Sequence, residues 1–143
     1  MKKLYETYAE VKHGGREGTV KVEETALELK LSLPKSLGGT GNGSNPEQLF
    51  AAGYSACFAN AALHVAKMGK LDLEDVPVKA DVTLNATETG AFALGVVLNA
   101  TVDLPQGQAK ELIAKADQVC PYSNGLRGGN AKVDIFVNGE AVI

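Results

Sequence analysis

The segment Asn45-Pro46-Glu47-Gln48-Leu49-Phe50-Ala51-Ala52-Gly53-Tyr54-Ser55-Ala56-Cys57-Phe58 carries more structural instruction than any other part of the chain. Asn45 is a strong helix-capping residue type. Pro46 suits the first helical position, where its missing N–H is no loss. Gln48 stands three residues after the cap, as a capping box requires. The helix is predicted to run to about Met68, with Gly69 ending it. Alanine, glycine and serine line it nearly all round, a pattern that predicts a helix buried in the middle of the fold.

Working outward, residues 34–45 form a glycine-rich loop without the Gly-Lys-Ser/Thr ending of a Walker motif. It also lacks the strand-to-helix placement of a dinucleotide fingerprint. Before it, Tyr5–Val11, Gly18–Val22 and Ala26–Leu33 read as strands. Leu27, Leu29, Leu31 and Leu33 alternate with polar residues, so one face of that strand is expected to be buried. Gly14-Gly15-Arg16-Glu17-Gly18 reads as the turn between the first two strands. After the central helix, Val78–Thr87 and Phe92–Leu104 read as a hairpin, Gly107–Val119 as a second helix stopped by Pro121, and Ala131–Val137 as a last strand. Strands followed by helices in this order give an α+β class.

The 143 residues fit a single domain, 1–143, with no internal repeat or linker. Hydrophobic residues make up 45% and charged residues 22%, ordinary for a globular protein. The formal net charge of −3, with no basic stripe interleaved with aromatics, argues against nucleic-acid binding. No apolar run is expected to reach the roughly 18 residues that span a membrane. Met1-Lys2-Lys3 is not followed by the apolar stretch of a signal peptide, so a cytoplasmic location is expected. Thiols are kept reduced there.

The two cysteines, Cys57 and Cys120, are therefore candidates for thiol chemistry. The thiolate is the nucleophile, and a free thiol with a pKa near ~8.5 is mostly protonated at neutral pH. Cys57 lies three turns into its helix, beyond reach of the N-terminal dipole. A cation from elsewhere in the fold is needed. Arg16 and Arg127 are the only arginines. An arginine held by a carboxylate such as Glu47 and aimed at Cys57 would lower its pKa. Glu47 and Cys57 are ten residues apart, about 15 Å of rise and about 80° of rotation on a straight helix. Either the helix bends near Gly53 or an arginine bridges the two from outside. For Cys120 to bond Cys57, their Cα atoms must come within about 7 Å. Cys57, His64, Cys120 and His13 match no zinc spacing.

The Asn45-to-Phe58 segment, together with Val119-Cys120-Pro121-Tyr122-Ser123-Asn124, resembles the organic hydroperoxide resistance proteins. These are a subfamily beside the osmotically inducible protein C (OsmC-like) group. Gly14-Gly15-Arg16-Glu17-Gly18 resembles that family's arginine turn. The resemblance covers nearly the whole chain. It implies an α+β fold with antiparallel β-sheets wrapped around two central helices, in an intertwined homodimer. It implies a thiol peroxidase that reduces alkyl or fatty-acid hydroperoxides to alcohols. Cys57 would be the peroxidatic and Cys120 the resolving cysteine, closing a Cys57–Cys120 disulfide. Arg16 and Glu47 would form the activating network. Dihydrolipoyl groups on a lipoylated carrier protein would be the external reductant, with no bound cofactor and no metal. A non-catalytic redox sensor or small-molecule binding protein on the same fold is the alternative. One departure stands out. The family usually continues Ala-Thr-Arg-Gly-Asn after the second cysteine motif, whereas this chain reads Gly125-Leu126-Arg127-Gly128-Gly129-Asn130. The turn there is expected to differ in shape.

Overall fold

The computed structural model describes residues 1–128, 136–137 and 140–141. The chain divides into two compact units: Met1–Ala51 with Val82–Leu94, and Ala52–Asp81 with Gly95–Ile143. The α+β expectation holds, with small antiparallel sheets and helices.

In the first unit, β1 (Glu10–Lys12), β2 (Thr19–Lys21) and β3 (Glu28–Lys30) form an antiparallel sheet in that order. The register places Val11 opposite Val20 and Val20 opposite Leu29. Glu10, Lys21 and Glu28 form the neighbouring row. One face is thus an apolar row, and the Glu10–Lys21–Glu28 row on the other alternates in charge, an arrangement that pins register. These strands are shorter than the sequence predicts. Tyr5–Ala9 carries a strand-like pattern but has no strand assigned, because alternation alone supplies no hydrogen-bonding neighbour. The β1–β2 connection closes as a single 3-10 turn, Gly15–Glu17, after left-handed backbone at His13 and Gly14. Gly18 is buried where any Cβ would run into the Lys12 carbonyl oxygen.

Helix α1 (Pro46–Met68) starts in the first unit and continues through the second. Its capping box is formed: Gln48 N–H donates to Asn45 Oδ1 at 2.9 Å, and Asn45 N–H to Gln48 Oε1 at 3.0 Å. The expectation of all-round burial is corrected. Tyr54, Phe58, Ala61, Ala62 and Ala66 are buried, but Ala52, Ala56, Asn60, His64 and Lys67 on the opposite side are exposed. Small side chains made both faces look alike in the sequence, while the chain covers only one of them. A second correction concerns length. Averaged over an 18-residue window, α1 has a mean hydropathy of 1.3 and is long and apolar enough to cross a membrane by composition alone. Polar Ser55, Asn60 and His64 interrupt every continuous run, which is why none is visible by eye. The face it buries packs on protein, as expected of a core helix.

The hairpin of β4 (Val78–Ala86) and β5 (Phe92–Ala100) follows. In the second unit, α2 (Gln106–Val119) buries Leu112 and Ala116, and Cys120 continues that i, i+4 row at the C-cap. A six-residue helix, α3 (Pro121–Leu126), was not predicted. Pro121 both stops α2 and occupies the first position of α3. The short strands β6 (Phe136–Val137) and β7 (Glu140–Ala141) pair antiparallel. The rest of the expected Ala131–Val137 strand lies outside the described residues, as do Gly129 and Asn130.

Candidate active site

In the second unit, α1 carries Cys57 and the α2–α3 junction carries Cys120. Cys120 Sγ donates to Cys57 Sγ at 3.8 Å, and both thiols are free. Cys120 is fully buried, whereas Cys57 is partly accessible. The position of Cys120 has a local cause. Its N–H still bonds the Ala116 carbonyl at 2.9 Å, so its side chain points where the buried row of α2 points. Its backbone then turns extended to begin α3.

Side chains from α3 satisfy the open carbonyl end of α2. Asn124 Nδ2 donates to the Gln118 carbonyl at 2.9 Å, and Arg127 Nη2 to the Asp117 carbonyl at 2.8 Å. Arg127 Nη1 also pairs with Asp117 Oδ2 at 2.5 Å. Arg127 therefore staples α3 onto α2.

Burial is the main influence on Cys57, pushing its thiol up. The Tyr122 backbone N–H opposes this, and the neighbouring Cys120 adds to the upward shift. Around the two thiols is a layer of aromatic and hydroxyl groups from α1 and α3. The Tyr54 and Ser123 hydroxyls hydrogen-bond at 2.7 Å, and both residues are buried. The Tyr54 and Tyr122 rings lie 5.6 Å apart. A Cβ on Gly53 would come within 2.8 Å of the Tyr122 hydroxyl, so glycine makes room for that ring. No local pattern marks Tyr54 and Ser123 as partners across 69 positions. The glycine inside a helix was the available clue.

A cavity of about 660 Å³ opens beside this layer in the same unit. Tyr54, Phe58, Val96, Leu98 and Ile113 form its apolar wall, and Lys110 stands on its lining. Its size is ordinary for a small organic ligand.

In the first unit, the Gly15–Glu17 turn presents Arg16 to Glu47 at the start of α1. The contact is bidentate, Nη2 to Oε1 at 2.6 Å and Nη1 to Oε2 at 3.0 Å. The hydrogen bonds from Arg16 hold the Glu47 carboxyl below its usual range, and Glu47 raises the guanidinium pKa. Such a fork-to-fork contact fixes the direction of the guanidinium as well as its charge. Glu17, next in the turn, accepts the Leu33 N–H at 2.8 Å and ties the turn to the chain after β3. Among the described residues, no three His, Cys, Asp or Glu side chains gather into a metal-binding group.

The OsmC-like protein family profile matches residues 39–136. An organic hydroperoxide resistance protein of Xanthomonas axonopodis pv. citri is 43% identical over 132 residues, covering 89% of this chain and 90% of the relative. The crystal structure of OhrB, the organic hydroperoxide resistance protein of Bacillus subtilis, superposes with a TM-score of 0.78 at 38% identity. It covers 88% of this chain and 93% of that one. An organic hydroperoxide resistance protein of Elizabethkingia anophelis, crystallised with thiocyanate bound, superposes with a TM-score of 0.83 at 45% identity. It covers 90% of this chain and 92% of that one.

Proposed function

Since the chain belongs to the OsmC-like family and to its organic hydroperoxide resistance branch, we propose that it is a thiol peroxidase that reduces organic hydroperoxides. Membership supports a peroxide-related, antioxidant role in the response to oxidative stress. The finer reading is carried by one observation: the chain's two cysteines, 63 positions apart, face each other as free thiols at 3.8 Å.

The cycle runs as follows. The Cys57 thiolate attacks the distal oxygen of ROOH, the O–O bond breaks, and the alkoxide takes a proton and leaves as ROH. Cys57 is then a sulfenic acid. The Cys120 sulfur attacks the Cys57 sulfur; the S–O bond breaks, an S–S bond forms, and water departs. Two thiols of a dihydrolipoyl group on a carrier protein then reduce the disulfide by exchange. Burial keeps Cys57 protonated, so a cation is needed to draw it toward thiolate. Arg16, aimed by Glu47, is the proposed source of that charge and of polarisation of the peroxide. No bound cofactor or metal enters this scheme. The apolar wall at Tyr54 and Phe58 favours organic over hydrogen peroxide, each buried CH₂ contributing about 0.8 kcal/mol.

The working form is read as a cytoplasmic homodimer, with the second copy covering the exposed Ala52–Ala56–Asn60 side of α1. Intact mass and free-thiol count after one equivalent of cumene hydroperoxide test the cycle. Two thiols should vanish in the parent, and a sulfenic acid should be trapped at Cys57 in Cys120→Ser. Survival of both thiols in excess hydroperoxide would leave a sensing or binding protein instead.

A further inference from the structure

The two sulfurs are not the only bridge between α1 and the Cys120–α3 segment. Tyr54 lies three residues before Cys57, and Ser123 three residues after Cys120. Residues three apart on a helix sit on the same side as neighbours. The Tyr54–Ser123 hydrogen bond and the Cys57–Cys120 contact are therefore two rungs joining the same two segments. One is a short O–H···O bond of 2.7 Å between residues 5% and 1% exposed, and the other a 3.8 Å sulfur contact. The ring contacts around them, Tyr54 with Tyr122 and with Phe58, are apolar and tolerate sliding. A buried hydrogen bond does not, because its distance and angle are narrow.

We propose that Tyr54 and Ser123 are positioning residues for disulfide closure, their hydroxyl bridge fixing how far the Cys120 sulfur stands from Cys57. The proposal rests on the thiol-peroxidase reading. In the step concerned, Cys57–S–OH and HS–Cys120 become Cys57–S–S–Cys120 and water. The Cys120 sulfur gives an electron pair to the Cys57 sulfur, the S–O pair leaves with the oxygen, and the Cys120 thiol proton completes the water; Cys57 is reduced and Cys120 oxidised. The sulfurs must close from 3.8 Å to about 2.05 Å. Misplacement by about 1 Å can slow a positioned reaction by up to ~100-fold. The bridge bears on this second step, in which the Cys120 sulfur approaches Cys57.

The test separates the two steps by rapid mixing with one equivalent of cumene hydroperoxide. Cys57 oxidation is followed by dimedone trapping, and disulfide closure by loss of the second thiol. Ser123→Ala should oxidise Cys57 at the parent rate but close the disulfide at least ~10-fold more slowly. Ser123→Thr, which keeps the hydroxyl, should recover most of the closure rate. Tyr54→Phe/Ser123→Ala removes both hydroxyls of the bridge together, so it should cost less stability than Ser123→Ala alone yet still be slow to close. Closure at the parent rate in Ser123→Ala and in the double variant would overturn the proposal, as would equal slowing in Ser123→Thr. If the parent itself loses no thiol to hydroperoxide, the peroxidase reading fails but the bridge is still measurable. Diamide takes two electrons and two protons from the same thiol pair, and its closure of the disulfide should be slowed in the same order. An unchanged order there would sink the bridge as well.

Discussion

Gly53→Ala sets two effects of known size against each other. In an exposed helix interior, Gly→Ala stabilises by about 1 kcal/mol. Here the new Cβ would lie 2.8 Å from the Tyr122 hydroxyl and 3.3 Å from two of its ring atoms. Carbon contacts are comfortable at about 3.5–4.0 Å, so the hydroxyl must retreat by several tenths of an ångström or more. Overpacking of a core costs about 1–3 kcal/mol. The intruding atom is the tip of a side chain 40% exposed rather than fully enclosed, so the lower end applies. Loss of the Tyr54–Tyr122 ring contact adds about 0.5–1 kcal/mol. The net expectation is a protein within about 1 kcal/mol of the parent, a Tm shift of roughly 3–4 °C or less. Its Tyr122 ring, however, is displaced. Since the Tyr122 N–H acts on Cys57, thiol loss per equivalent of hydroperoxide should slow although the fold survives. Thermal unfolding and the thiol assay read the two halves of this prediction. Tyr122→Ala in the same background should restore the helix-propensity gain, a coupling that a double-mutant cycle isolates. A Tm fall beyond about 8 °C would refute the lower-end overpacking cost. A full 1 kcal/mol gain in Gly53→Ala alone would refute the contact itself.

Other outcomes follow from the same geometry. Asn45→Ala breaks the capping box and should destabilise by about 1 kcal/mol in denaturant titration, with Asn45→Ser close to the parent. Glu47→Gln should leave the fold intact while slowing Cys57 oxidation. Its stability deficit, about 1 kcal/mol or less for a half-exposed pair, should depend on pH. Arg16 lowers the Glu47 pKa on folding, so the contribution is full above the unfolded value of about 4.3. It disappears as pH falls through the lower folded value, and the parent and variant curves should merge in acid. Cys120→Ala removes the neighbouring thiol but not the burial. The Cys57 thiolate absorbance at 240 nm should therefore appear at lower pH than in the parent.

How far the sequence could be read depended on how local each signal was. The start of α1 rests on contacts within four residues, and Pro46–Met68 appears as expected. Strand ends rest on partners far away, which is why Tyr5–Val11 shrank to a strand beginning at Glu10. Helix α3 was hidden because Ser123, Asn124 and Gly125 are weak helix formers and Pro121 reads as a stop. The Arg16–Glu47 contact was expected from resemblance, since nothing local announces a pair 31 positions apart. Tyr54 was visible only as an aromatic. Its hydroxyl partner becomes apparent once α3 is folded back against α1.

The unequal exposure of the two sulfurs gives the chemistry a direction. Cys120 has no surface in contact with solvent, while Cys57 is partly open. An electrophilic probe or an incoming thiol arriving from bulk solution can therefore touch one sulfur and not the other. Because access decides which sulfur of a disulfide is attacked, a mixed disulfide with the reductant should form at Cys57 and release Cys120 inward. The protein thus presents a single chemical handle to its surroundings, and a one-to-one covalent label should silence it.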